Sequence, residues 1–156
     1  MKIEKILKIS EISNKNIRTN KEEKYSLEYP VIKKYLENKI YGKDITNLLL
    51  QLGKKKIGLC GLNYLADFLY MDIKDNHEGL EVVCVSDKNY LNFCEGFQGY
   101  SVMSNDRIIE EYHRGTVDTF IICSIINCNE MIETLINKKV KNEDIISIVT
   151  LIYNCS

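Results

Sequence analysis

From position 54 onward the chain alternates between two hydrophobic periods. The segments 56–60 (KIGLC), 80–86 (LEVVCVS), 117–124 (VDTFIICS) and 145–153 (IISIVTLIY) are short and apolar at their centres, as strands covered on both faces are. Between them the apolar positions fall at helical spacing. Leu62, Leu65, Ala66, Leu69 and Ile73 form one stripe, Ile108, Ile109 and Tyr112 a second, and Met131, Ile132, Leu135 and Ile136 a third. Ser104 and Asn129 are the predicted N-caps of the last two helices. Arg114 and Gly115 end the earlier one, and Lys138 and Lys139 fall in the last turn of the later one, where the helix dipole favours cations. A polar loop over 87–100, holding Gly96 and Gly99, precedes a short edge strand expected at 101–103.

The first third has no strand pattern. Ile3, Ile6, Leu7 and Ile9 predict a short amphipathic helix over 2–9, and the polar stretch 10–24 is expected to be a linker. A second helix is predicted after Pro30, with Val31, Tyr35, Leu36 and Ile40 inward and Tyr41 and Gly42 at its end. Asp44 caps a third, ITNLLLQL, closed by Gly53. The expected organisation is a helical N-terminal extension over 1–53 and an αβ domain over 54–156.

Strand, helix, strand, short strand, helix, strand, helix, strand describes an α/β fold. We expect a Rossmann-like doubly wound parallel sheet of about five strands in the order 3-2-1-4-5, with right-handed crossovers. That order puts the switch point between the strand ending at Cys60 and the one ending at Ser124. A ligand is expected there.

Charge changes the picture of the partners. Residues 1–56 hold 14 Lys and Arg against 7 Asp and Glu, whereas 57–156 hold 7 against 15. An acidic αβ region is poorly suited to a nucleic-acid backbone, so no nucleic-acid partner is expected. The basic extension suits either an anionic partner or, more simply, packing on acidic surface of its own chain or of a second copy, the last giving a homo-oligomer through the N-terminal helices. No apolar run approaches the length of a membrane span, and MKIEKILKIS is charged where a signal peptide is apolar, so the expectation is a cytoplasmic protein with no membrane partner.

The candidate chemistry lies in KKKIGLCGLNYLADFL (54–69). A dinucleotide turn uses three glycines, for the sharp turn, for close approach of a pyrophosphate, and for helix-to-strand packing. Here those places hold Gly61, Asn63 and Ala66. Asn63 can donate to a phosphate oxygen or obstruct it. Asp87, at the end of the second strand, is the candidate for a ribose, although a turn after a strand often holds an Asp on structural grounds. Ser124 and Asn127 leave the fourth strand beside the same crevice.

No catalytic set emerges. Asp67 and Asp72 read as the solvated face of a helix, His77 as a loop residue, and His113 as a helix-end residue. Cys123 and Cys128 would need a base that the pattern does not supply. Cys60, Cys84 and Cys123 sit in apolar strand segments as small hydrophobes, no Cys pair has CxxC spacing, and no metal site is expected.

The segments KKIGLCGLNYLADFLY, LEVVCVSDKN, GFQGYSVMS, VDTFIICS and NKKVKNEDIISI together resemble small Rossmann-like domains of bacterial polysaccharide and glycan biosynthesis. Such domains stand at the N-terminus of sugar-nucleotide acetyltransferases and beside glycosyltransferases. The resemblance covers about residues 54–150. It implies a nucleotide-sugar module in which Gly61, Leu62 and Asn63 form the turn and Ser86, Asp87 and Lys88 the exit of the second strand. Asn63 replaces the second glycine, and Ser86 stands where the family commonly has its first acidic residue. No hexapeptide repeat is present, so acetyl transfer by these residues alone is not expected. Three readings stay open: an accessory domain binding a nucleotide or nucleotide-sugar, an NAD(P)-dependent oxidoreductase, and a non-binding scaffold or oligomerisation module.

Overall fold

The computed structural model describes residues 21–75 and 79–156. Its five strands are β1 (Lys56–Cys60), β2 (Glu81–Ser86), β3 (Val102–Met103), β4 (Thr119–Ile122) and β5 (Ile145–Ser147). All pair in parallel in the order β3-β2-β1-β4-β5. Six helices accompany them among the described residues: α1 (Lys21–Ile40), α2 (Ile45–Gln51), α3 (Tyr64–Asp75), α4 (Asn105–His113), α5 (Cys128–Asn137) and α6 (Ile148–Asn154). The α/β Rossmann-like class and the strand order agree with the sequence expectation.

Alternation along the strands divides the core in two. Ile57 and Leu59 of β1 and Ile121 of β4 enter one apolar cluster, while Cys60, Phe120 and Ile122 enter the other. Successive strand side chains point to opposite faces, so one short strand feeds both layers. The first layer receives Val31, Tyr35, Ile45, Leu49, Leu65, Leu69, Leu151 and Ile152 from α1, α2, α3 and α6. The second receives Ile108, Ile109, Met131 and Leu135 from α4 and α5. The helical N-terminal residues thus share a core with the sheet.

The structure corrects several local expectations. The helix predicted to follow Pro30 begins ten residues before Val31, at Lys21, and runs through Pro30. A proline inside a helix removes one hydrogen bond, but the buried stripe Glu28, Val31, Tyr35 and Asn38 continues across it and holds the helix on the core. Val31 and Tyr35 are inward as expected, but Leu36 and Ile40 are 51% and 80% exposed, since the inner stripe continues through Glu28 and Asn38. The helix over 2–9, the linker through residue 20 and His77 lie outside the described residues. Residues 21–24, expected in that linker, belong to α1.

The last predicted strand divides. Ser147 ends β5 and caps α6, its Oγ accepting from the Val149 N–H at 3.2 Å. Ile148, Val149, Leu151 and Ile152 then fall at helical spacing, buried against α1 and α2. The β-branched run concealed a helix whose apolar face is supplied by tertiary packing. In α5 the N-cap residue is Asn127, not Asn129, which lies in the first turn, and Ile136 is 46% exposed. Other caps hold as expected: Asp44 accepts from the Thr46 N–H at 2.8 Å, and Ser104 from that of Arg107 at 3.3 Å.

Candidate functional site

The ends of β1 and β4 open a crevice of about 560 Å3, within the range of small-molecule sites. Gly61, Leu62, Asn63, Asp87, Lys88, Ser124 and Asn127 all line it. Ser86, the remaining sequence candidate, does not. It is fully buried, and its hydroxyl donates to Asn105 Oδ1 at 3.0 Å, so it supports a lining residue from behind.

The glycine turn has an internal explanation. Gly61 adopts φ +84°, and a Cβ there would lie 3.0 Å from both the Cβ and the backbone N of Ser124. Glycine is demanded by the turn and by the close passage of the β4 exit. Asn63 turns its side chain into the fold: Oδ1 accepts from the Ala66 N–H at 3.1 Å, and Nδ2 donates to the Cys123 carbonyl at 3.0 Å. It caps α3 and ties β1 to the end of β4. The conflict posed by its place in the turn is resolved by this second bond, which directs the amide toward β4.

Asp87 is also engaged. Oδ2 accepts from the Leu62 N–H at 2.8 Å and Oδ1 from the Asn89 N–H at 2.7 Å. The carboxylate therefore sits on an amide of the turn where an anion would otherwise bind, and it organises the loop leaving β2. Ser124 Oγ accepts from the Asn127 N–H at 3.2 Å. Asn127 is exposed and makes no side-chain cap for α5.

Several lining residues escaped the sequence reading. Lys24 and Glu28 come from α1, Asn89, Asn92 and Phe93 from the loop after β2, and Asn105 from the first turn of α4. The extension therefore supplies one wall. With the helix start at Lys21, the i, i+3, i+7, i+10 stripe would have exposed Glu28 as a carboxylate in an otherwise inward row. Asn105 had only its place next to the Ser104 cap. The mouth is bridged by Lys88 and Glu130 at 3.8 Å, both about two-thirds exposed.

Thiol chemistry is disfavoured at the crevice floor. Burial pushes the Cys60 thiol up to about 12. Burial likewise raises Cys123 and Cys128, so these groups stay protonated near neutral pH and pack as hydrophobes. Away from the crevice, Asp72 is buried, not solvated as expected. It accepts from Tyr35 Oη at 3.0 Å and pairs with Lys39, linking α3 to α1. His113 bonds the Lys138 carbonyl at 2.9 Å and so closes the end of α5 in addition to ending its own helix.

No family model matches the chain, and no curated protein matches it. Among solved structures, RSP, a Rex-family repressor, superimposes with a TM-score of 0.50 at 19% identity, covering 65% of this chain and 56% of that one. The likeness is one of fold. This chain spans little more than half the length of that repressor, and the shared part is a Rossmann-like αβ unit.

Proposed function

We propose that the crevice binds a nucleotide or nucleotide-sugar and that the chain serves as an accessory domain in glycan or polysaccharide biosynthesis. The observation that carries the binding reading is a nucleotide-sized crevice at the topological switch point of a parallel sheet, the place where doubly wound folds take their ligands. Its walls supply amides, hydroxyls, two lysines and the ring of Phe93, a set suited to hydrogen bonding and stacking. The resemblance of 54–150 to nucleotide-sugar modules supports the pathway. Hydride transfer has less support, since the described lining holds neither Tyr nor His. Calorimetric titration of the full chain with UDP-sugars, CDP-linked compounds, NAD and NADP tests the reading. Heat on adding a UDP- or CDP-linked ligand is the expected result, and no heat with any of them at millimolar concentration overturns it.

Self-association through the N-terminal helices belongs to the same proposal. Tyr25, Tyr29, Leu36 and Ile40 of α1 are all more than half exposed and recur on one side of the helix, opposite its buried stripe. Light scattering of the full chain and of the Leu36→Glu, Ile40→Glu variant checks it. A monomer in both removes the idea.

A further inference from the structure

We infer that Glu28 is a ligand-binding residue, its carboxylate accepting hydrogen bonds from the hydroxyl groups of a ribose or hexose in the crevice. The inference rests on the nucleotide reading and assigns to α1 the role that the sequence pattern gave to Asp87.

Glu28 lines the crevice, yet its residue is only 6% exposed and its side chain 8%. A carboxylate largely withdrawn from water needs donors or a close cation, from the protein or from what fills the crevice. Among the described residues its ionic partner is Lys24 at 3.9 Å, an i, i+4 neighbour whose own side chain is 50% exposed, and none donates a hydrogen bond to it. Such a half-exposed helix pair is a weak one. The other buried carboxylate of the same layer is treated differently: Asp72 has both the Tyr35 hydroxyl and the Lys39 ammonium within bonding distance. Among the described residues, Glu28 is thus an acceptor with unused capacity at a ligand-sized opening.

Asp87 is less free for that role, because each of its oxygens already accepts from a backbone N–H, which fixes the carboxylate on the turn and leaves one lone pair on each oxygen. A carboxylate facing a crevice calls for donors on the ligand, and vicinal hydroxyls of a sugar supply two at the spacing of its oxygens. Phosphate does not, since it brings like charge and acceptors only. The sugar therefore lies toward α1, with phosphate elsewhere in the crevice.

The test measures Kd for UDP-glucose, UDP and 2′,3′-dideoxyuridine diphosphate with the full chain and with Glu28→Gln, whose helix content and melting temperature are recorded alongside. Loss of a charge-assisted bond weakens binding roughly ten- to a hundredfold. If Glu28 holds the ribose, Glu28→Gln weakens UDP and leaves the dideoxy compound unchanged. If it holds the hexose, only UDP-glucose weakens. Either pattern supports the assignment. Equal binding of all three by the folded variant overturns it while leaving the nucleotide reading intact, and so does an equal loss for all three with a lowered melting temperature, which marks a structural role. Should the unaltered chain bind none of the three, nor NAD or a CDP-linked sugar, the nucleotide reading falls and this assignment with it.

Discussion

Asp87 holds the backbone of Leu62: its Oδ2 accepts the Leu62 N–H at 2.8 Å, while Oδ1 accepts that of Asn89 at 2.7 Å. One side chain thus joins the turn after β1 to the loop after β2. Replacing Asp87 with Ala removes two charge-assisted bonds and should lower stability by about 1–3 kcal/mol. Asp87→Asn keeps an acceptor for only one of the two amides and should fall between. Urea midpoints for the three proteins check the order, and an Ala variant as stable as the parent would contradict the bracing role.

Gly61 and Gly99 share a backbone conformation but not an environment. Both have φ +84°, yet a Cβ on Gly61 meets the Ser124 backbone N at 3.0 Å, whereas one on Gly99 finds nothing within 4 Å. Ala at either site carries left-handed strain of about 1–2 kcal/mol. At Gly61 the exit of β4 must also shift, adding roughly 1–3 kcal/mol. Thermal melts should rank Gly61→Ala well below Gly99→Ala. Similar losses would mean that Ser124 yields freely.

Much of this fold was legible because the sheet is parallel and buried. Its strands are apolar runs, its crossover helices carry clear stripes, and the strand order follows from the sequence of elements. What stayed hidden depended on tertiary partners. The segment from Ile148 looks like a strand until α1 and α2 are there to receive its helical face, and Pro30 marks a helix start only if packing upstream is ignored. The site was half legible for the same reason. Gly61 and Asp87 were found by their spacing from β1 and β2, but hydrogen bonds that no spacing encodes engage Asn63 with Cys123 and Asp87 with Leu62. Lys24 and Glu28 reach the crevice only because α1 crosses to it.

The extension is expected to be inseparable from the sheet. Asn38 of α1 is buried and donates through Nδ2 to the Ile152 carbonyl of α6 at 2.6 Å, and Tyr35 stacks on Phe68 of α3 with ring centres 5.0 Å apart. Burial of Val31, Tyr35, Ile45 and Leu49 contributes roughly 6–12 kcal/mol in total, comparable with the whole stability of an ordinary domain. A chain starting at Lys54 should therefore lose its cooperative transition and aggregate. Asn38→Ala in the full chain should cost about 1–3 kcal/mol by leaving the Ile152 carbonyl without this donor. A truncated chain that melts cooperatively as a monomer would show that the sheet stands alone.

Acid should attack the opposite end of the sheet through Asp144. Lys54 Nζ lies 2.7 Å from its Oδ1, and Tyr112 donates to its Oδ2, joining the segment before β1 to α4 and the turn before β5. Burial alone would raise the carboxyl, but the bonds from Lys54 and Tyr112, with the charges of Lys54 and Lys141, outweigh it and hold Asp144 below the usual carboxylate range. A group whose folded pKa is depressed stabilises the protein above its unfolded pKa, about 3.9 for Asp, and loses that contribution as pH falls through the folded value. Asp144→Asn should then be less stable than the parent by about 1–3 kcal/mol at pH 7. The gap should narrow below about pH 4, where the parent carboxyl takes up its proton. Unfolding free energies from urea titrations at pH 7, 5 and 3 measure this directly. A gap that stays constant over that range would mean that Asp144 acts through shape alone, and Lys54→Met should reproduce the lost pH dependence if charge is the cause.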